Sequence, residues 1–364
     1  MNICFVAPAD NYHTQKWAKW FHNEGHNVSV ISFTDAYLDD AEVYYINSGA
    51  DVKGSDRQKV KYLFQSKKIK QIIHTVKPDI ISVHYATSYG TAFALTGIHP
   101  YYLSVWGSDI YDFPIKSPLH KMMLKFSLSK ADYLLSTSYA MAEEGKKYTK
   151  KKFYITPFGV DMDLFNPNKR TRDDDEFVIG TVKSLKKKYG IEYLLKASAI
   201  IRKNNPNLNM RVKIAGKGPE EEELKQLAAK LKIEDIVDWL GFISQERAAS
   251  EWANMDVAVV PSILDSESFG VSAVEAEACG VPVIISDVPG LMEATNPAKS
   301  SLVVHRKDEN ELAEAILKLA QNPSYRKDMG KNGRIFVVEK YELNICFNNI
   351  EKVFIETMKN TSQN

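Results

Sequence analysis

Residues 267–280 read ESFGVSAVEAEACG, and an apolar run, VPVII (281–285), follows directly. Two carboxylates, Glu267 and Glu275, stand eight positions apart, with the small turn Ser268-Phe269-Gly270 between them. From Val271 to Cys279 there is no glycine or proline, which predicts a helix closed by Gly280. VPVII then reads as a strand behind it. Glu267 falls on the loop before the helix and Glu275 about one turn inside it. A helix N-terminus presents unpaired N–H groups and the positive end of its dipole, and so favours anions. Two hydrogen-bond acceptors beside an anion site suit a ligand with hydroxyls at both ends and phosphate between them, as in a nucleotide-sugar. A capped helix packed on a strand accounts for the same spacing without a ligand.

Outward from this stretch the chain alternates strands with helices. NICFVA (2–7) reads as a buried first strand, a helix carrying Trp17, Trp20 and Phe21 on one face follows, and Gly25-His26 leads into NVSVISF. Residues 60–77 predict a Lys-rich amphipathic helix ahead of Pro78. DIISVHY (79–85), YYLSVWG (101–107), ADYLLSTS (131–138) and KFYITPFG (152–159) predict further strands. After a charged stretch, Asn168 to Glu176, the pattern begins again with FVIGTV (177–182), MRVKIAG (210–216), IVDWLG, DVAVVPS, VPVIISD and SLVVH. The fold class is therefore α/β, with two Rossmann-like, doubly wound domains. The first turn lacks G-x-G-x-x-G, which argues against a dinucleotide oxidoreductase.

The pattern P-S-x-x-x-x-E-S-F-G-x-x-x-x-E-A-x-A-x-G-x-P-V-I resembles the signature of the family-4 retaining glycosyltransferases. FGVDMDLFNP (158–167), IAGKGPEEEEL (214–224), WLGFIS (239–244) and DVAVVPS (256–262) extend the likeness over most of residues 150–320. The resemblance implies the GT-B fold, two domains facing each other across a cleft. Residues 1–165 would form an acceptor-side domain and 166–340 a donor-binding domain, with a final helix at about 341–358 packing back on the first. It further implies that Glu267 contacts the sugar hydroxyls and Glu275 the ribose. The backbone of Ser268, Phe269, Gly270 and Val271 would then lie against sugar and diphosphate. The family's G-R-L-x-x-x-K-G, which supplies cations to the diphosphate, is here KSLKKKYG (183–190), with Ser184 and Tyr189 at the Arg and Lys positions. Lys183 and Lys188 are also five apart, one residue earlier, and are expected to take over that work as the leaving oxygens gain charge. Gly216 and Gly218 in GKGP allow close backbone approach, though a plain turn explains them equally. Glu293 matches another position near the donor, with a helix cap as the alternative.

The first half departs from the family. Where relatives carry His-Gly-x-Asp, this chain has Trp106-Gly107-Ser108-Asp109. An indole donates a hydrogen bond but accepts no proton, so Trp106 is expected to stack on an acceptor. Asp109 is the acceptor-side candidate for catalysis, and His84, at a strand end, is either a partial substitute for the missing histidine or a core residue. No Asp-x-Asp metal motif is convincing, because Asp161 and Asp163 sit in a family loop. No cofactor or metal is expected.

Composition agrees with such an enzyme. The chain has 364 residues, ample for two domains with cores, and its net charge of +1 implies no nucleic-acid partner. Three scattered cysteines in apolar settings, no signal peptide and no spanning apolar run lead to the expectation of a cytoplasmic protein. Residues 57–152 nevertheless hold sixteen Lys/Arg against six Asp/Glu. In SPLHKMMLKFSLSKA, the stripe Leu119, Met122, Met123 and Phe126 is expected to face the core. That leaves Leu124 and Leu128 outside, beside Lys121 and Lys125. Such a strip suits loose attachment to an anionic membrane surface.

These features together predict a retaining, metal-independent hexosyltransferase. It would move a sugar from a nucleotide donor, expected to be UDP-linked, to a glycan or lipid-linked acceptor in cell-surface polysaccharide or glycolipid synthesis. A nucleotide-sugar epimerase of the same fold is the first alternative, and a catalytically silent nucleotide-sugar-binding subunit the second.

Overall fold

The structure, a computed structural model, describes residues 1–50, 60–172 and 175–361. It divides into two compact units, Met1–Phe158 with Phe347–Asn364, and Gly159–Cys346.

The first unit is built on seven strands: β1 (Asn2–Val6), β2 (Asn27–Ser32), β3 (Glu42–Tyr45), β4 (Ile80–His84), β5 (Tyr102–Val105), β6 (Tyr133–Ser136) and β7 (Phe153–Ile155). All pair in parallel, in the order β3-β2-β1-β4-β5-β6-β7. Parallel strands need crossover helices on both faces, which is why β1, β4 and β5 are largely apolar and almost wholly buried, the polar side chains of Ser82, His84 and Ser104 included. The strand order reverses between β1 and β4, so the loops after these two strands part and leave a crevice at the carboxyl edge of the sheet. On one face of this sheet Trp17 and Phe21 of helix Tyr12–Asn23 pack with Phe347 and Phe354 of the terminal helix, Leu343–Thr361. A hydrogen bond between His26 Nε2 and Glu351 Oε1, at 2.7 Å, fixes the same contact.

The second unit repeats the plan with β8 (Phe177–Val182), β9 (Met210–Ala215), β10 (Val237–Gly241), β11 (Val257–Val260), β12 (Val283–Ser286) and β13 (Ser301–Val304). Their order is β10-β9-β8-β11-β12-β13, again all parallel. Here the reversal lies between β8 and β11. The loops that open from it begin at Lys183 and at Pro261, and these two stretches carry the lysines and the first glutamate singled out above.

The structure departs from or adds to the sequence expectations at four places. EVYY, which carries no strong strand pattern, forms the edge strand β3; its residues are only partly buried, so no continuous apolar run marks it. Residues 60–77 are not one α-helix, because Val60–Gln65 winds as a 3-10 turn before helix Ser66–Val76 begins. The expected terminal helix runs Leu343–Thr361, and a second 19-residue helix, Pro323–Tyr341, comes just before it. Finally, the faces of helix Pro118–Lys130 are reversed. Leu124, Ser127 and Leu128 are buried, whereas Leu119 and Met122 are 57% and 62% exposed. The reason is close packing on helix Ser88–Ala94, where Thr91 Oγ1 meets Ser127 Oγ at 2.9 Å. The face with a small residue at its centre approaches its neighbour; the face with Leu119 and Met122 is left to the outside.

Candidate functional site

In the second unit the switch between β8 and β11 gathers the candidate residues. The loop after β8 runs Lys183 to Gly190. Gly216 holds it from one side: with φ +138°, its ideal Cβ would lie 1.9 Å from the Lys183 carbonyl oxygen, so only glycine lets these backbones meet. A Cβ on Gly218 would lie 2.2 Å from Leu185 O, and Leu185 N donates to Lys217 O at 3.1 Å. The GKGP motif is thus a buttress for the lysine loop, a role that needs no ligand.

On that loop Lys183 and Lys188 are half-buried while Lys186 and Lys187 are exposed. Lys183 Nζ pairs with Glu267 Oε2 at 2.7 Å. Lys188 Nζ lies 3.4 Å from Ser266 Oγ. Both ammonium groups also stand over the ring of Tyr189, at 4.7 Å and 5.1 Å from its centroid. Such cation–π contacts hold the two cations without neutralising them. Burial by itself would lower the Lys183 pKa; Glu267, with Tyr189 and Glu275, more than offsets this and raises it, so the side chain is a firm cation. Sequence alone shows Tyr189 at the family's lysine position but gives it no role, and it offers no signal for Ser266.

Glu267 and Glu275 are both buried, 6% and 7% exposed, which is rare for carboxylates that have nothing to bind. Glu267 Oε1 accepts from Gly270 N at 3.2 Å, and Gly270, at φ +74°, turns the chain into helix Val271–Ala278. Gly290 closes on this turn so tightly that a Cβ there would sit 2.3 Å from Glu267 O. Phe269 is buried edge-on against Tyr341 at 5.3 Å, so its ring anchors the turn from behind and only its backbone is left for a ligand. The Tyr341 hydroxyl donates in turn to the Glu293 carbonyl at 2.9 Å, which ties the segment carrying Glu293, itself half-buried, to the same support. Val271, half-buried, opens the helix, and Ser272 Oγ donates to Val182 O at the end of β8. Two cations, two carboxylates and a helix N-terminus therefore converge at one sheet edge. The arrangement can bind a diphosphate between groups that accept from hydroxyls.

The first unit has its own crevice at the β1/β4 switch, a cavity of about 740 Å³. Residues after β1 (Asp10, Asn11), after β4 (Tyr85, Thr87, Ser88) and after β5 (Ser108, Asp109) line it. Asp109 is 2% exposed, and its carboxylate accepts from Ala86 N at 2.9 Å, Gly107 N at 2.9 Å and Trp106 N at 3.1 Å. It binds the β4 and β5 loops together, so its place is that of a positioning group at the cavity wall. Burial raises its pKa, with these amide donors pulling the other way. Trp106 does not line the cavity. Its indole N–H donates to Ser104 Oγ at 3.1 Å and its ring is packed among His84, Tyr85, His13 and Phe158. His84 is 0% exposed among Phe5, Trp17 and Trp106, and burial depresses its pKa to about 3. It is a neutral core histidine, sealed off from any acceptor, which corrects the acceptor-side assignment. Asp161 Oδ1 accepts from Asp163 N and Leu164 N, closing a turn. Among the described residues no cluster of three or more His, Cys, Asp or Glu is placed to hold a metal, and no helix is long and apolar enough to cross a membrane.

Comparison with known proteins adds independent findings. A family model for glycosyl transferases group 1 matches residues 163–336, and one for glycosyl transferase 4-like proteins matches residues 2–138. A D-inositol 3-phosphate glycosyltransferase of Pseudarthrobacter chlorophenolicus is 33% identical over 190 residues, 50% of this chain and 45% of that protein. The chain thus spans under half the length of the first curated relatives it matches. An uncharacterized glycosyltransferase of Methanocaldococcus jannaschii is 27% identical over 82% of this chain and 81% of its own. Among solved structures, sucrose-phosphate synthase from Thermosynechococcus elongatus superposes with a TM-score of 0.88 at 20% identity, covering 99% of both chains. Anabaena HepE in complex with UDP gives 0.78 at 18%, covering 98% of this chain and 100% of that one.

Proposed function

The chain belongs to the group 1 glycosyltransferases, with two parallel-sheet, Rossmann-like domains of the GT-B fold, and from that premise we propose what it transfers and how. It moves a sugar from a nucleotide donor, UDP-linked, to a glycan or lipid-linked acceptor in cell-surface polysaccharide or glycolipid synthesis. The observation that carries this reading is the convergence of Lys183, Lys188, Glu267 and Glu275 at the β8/β11 switch. The ammonium groups receive the diphosphate, Glu275 the ribose and Glu267 the sugar hydroxyls. The UDP held by the Anabaena neighbour supports the choice of nucleotide.

Charge that builds on the leaving diphosphate meets two fixed cations and a helix N-terminus, so the reaction proceeds without a metal. Transfer occurs with retention, on one face of the sugar, the departing phosphate helping to take the acceptor's proton; the family resemblance supports this step. The protein also associates loosely with anionic membrane surfaces. That part now rests on the outer face of helix Pro118–Lys130, where Leu119 and Met122 stand beside Lys121 and Lys125.

Thermal shift against a panel of UDP- and GDP-sugars tests the donor, since a ligand of the native state raises stability by mass action. Product analysis then separates transfer from epimerisation. Glu275→Ala should keep the fold and lower kcat/KM at least about tenfold, or roughly 1.4 kcal/mol. Unchanged activity and nucleotide affinity in that variant would remove the centre of the reading.

A further inference from the structure

We propose that the cavity of the first unit receives an amphiphilic acceptor, a hydroxylated head group carried on a hydrocarbon chain. The inference rests on the transferase reading and narrows its acceptor to one class. Two chemically different walls support it. The loops after β1, β4 and β5 contribute Asn11, Thr87, Ser88, Ser108 and Asp112, with Asp109 fixed behind them. These offer amide, hydroxyl and carboxylate groups at the carboxyl edge of the sheet, where a polyol can be held by short hydrogen bonds. The 3-10 turn Val60–Gln65 and helix Pro118–Lys130 contribute Tyr62, Leu63, Leu119 and Met123, and Phe113 joins them from the loop between β5 and that helix.

Lys116 and His120 also line the second wall, the first set over the Phe113 ring and the second bonded through Nδ1 to Ser117 Oγ at 2.7 Å. A free oligosaccharide has hydroxyls on every side, and those that met Leu63, Leu119, Met123 and Phe113 would lose water without gaining partners, at a cost for each buried polar group. A hydrocarbon chain loses nothing there. The apolar wall also runs on to the surface: Val60 and Leu119, which line the cavity, are 44% and 57% exposed. Phe64 and Met122, on the same two elements, are 76% and 62% exposed. A chain longer than the cavity therefore leaves across apolar side chains. Tyr85 adds a third mark. It lines the cavity with φ +67°, a conformation uncommon for a bulky residue, and its carbonyl accepts from Gly90 N at 2.8 Å. Held strain of this kind collects at ligand sites.

Isothermal titration of the full chain tests the proposal, with n-dodecyl maltoside held below its micellar concentration as probe and maltose as the head-only control. One saturable site is expected, binding the dodecyl compound at least tenfold more tightly than maltose. Leu119→Glu, a charge placed at an exposed rim position, should weaken it at least tenfold without moving the thermal midpoint; Leu63→Glu is the second variant. The absence of a saturable site, equal affinity for the two sugars, or indifference to both substitutions would overturn the inference. UDP titrated into the same samples reads the second unit separately. Detergent binding without UDP binding would sink the UDP-donor reading and leave the cavity's preference standing; UDP binding without detergent binding would do the reverse.

Discussion

Glu277 allows a quantitative check of the packing behind the site. It lies on helix Val271–Ala278, two residues past Glu275, and is 0% exposed. Neither carboxyl oxygen makes a well-formed hydrogen bond among the described residues, although the Ser300 hydroxyl is close enough to favour the charged form. Helix Pro323–Tyr341 crosses so closely that a Cβ on Gly333 would lie 3.0 Å from Glu277 Cγ. Burial raises its pKa from 4.5 to about 8, with Ser300 pulling slightly back. The folded chain then keeps a proton that the unfolded chain gives up. The stability tied to this group is complete below pH 4.5 and is lost as pH rises to about 8. At about 1.4 kcal/mol per pKa unit the whole window amounts to about 5 kcal/mol, of which about 3 kcal/mol is gone at neutral pH. Glu277→Gln has the same shape and no proton to lose. Urea unfolding of both proteins from pH 5 to pH 8.5 should show the variant gaining on the wild type by several kcal/mol as pH rises. Two parallel stability profiles would mean that the carboxyl group is solvated or paired, and the argument for a dry helix contact would fail.

Other outcomes follow from the same geometry. Lys183→Ala and Lys188→Ala should each weaken UDP binding at least about tenfold, roughly 1.4 kcal/mol, while Lys186→Ala, on the exposed side of the loop, should leave it unchanged; calorimetry showing three equal small effects would reduce the loop to a solvated surface. His84, with its pKa depressed to about 3, contributes stability that is present above its ordinary value of 6.5 and is lost as pH falls toward 3. His84→Gln should flatten that acid limb, by about 2 kcal/mol at pH 5, and an unaltered limb in denaturant titrations would contradict the sealed core. In sedimentation with liposomes, binding should favour anionic lipid, fall with salt and fall again in Lys121→Glu/Lys125→Glu; binding indifferent to lipid charge would remove the membrane face.

The parts of this structure that were legible in the sequence are those where one physical requirement acts alone. A parallel strand buried on both faces is largely apolar, so β1, β4, β8 and β11 were readable; the strand order, and with it both switch points, was not. β3 was not, because an edge strand buries less and EVYY has no run to show. Helix Pro118–Lys130 carries apolar residues on two faces, and the choice between them is made by Thr91 and Ser127, 36 residues apart in sequence. The pairing of Lys183 with Glu267, and the tyrosine under both lysines, likewise depend on which loops the sheet order brings together. The Trp-Gly-Ser-Asp departure was visible, but its outcome was not: the indole and His84 are packed inward and the carboxylate is engaged by three amides.

The 2.7 Å contact between Lys183 and Glu267 makes donor capture an exchange rather than an addition. On the proposed reading, an incoming diphosphate competes with Glu267 for the three N–H donors of Lys183, and a carboxylate whose share is weakened gains from new donors. A whole nucleotide-sugar supplies both halves of the trade at once, oxygens for the lysine and hydroxyls for the glutamate. A bare diphosphate supplies only the first and leaves a carboxylate 6% exposed with its share of the donor weakened. The pair thereby acts as a toll on incomplete ligands, and discrimination between donor and by-product begins before any chemistry.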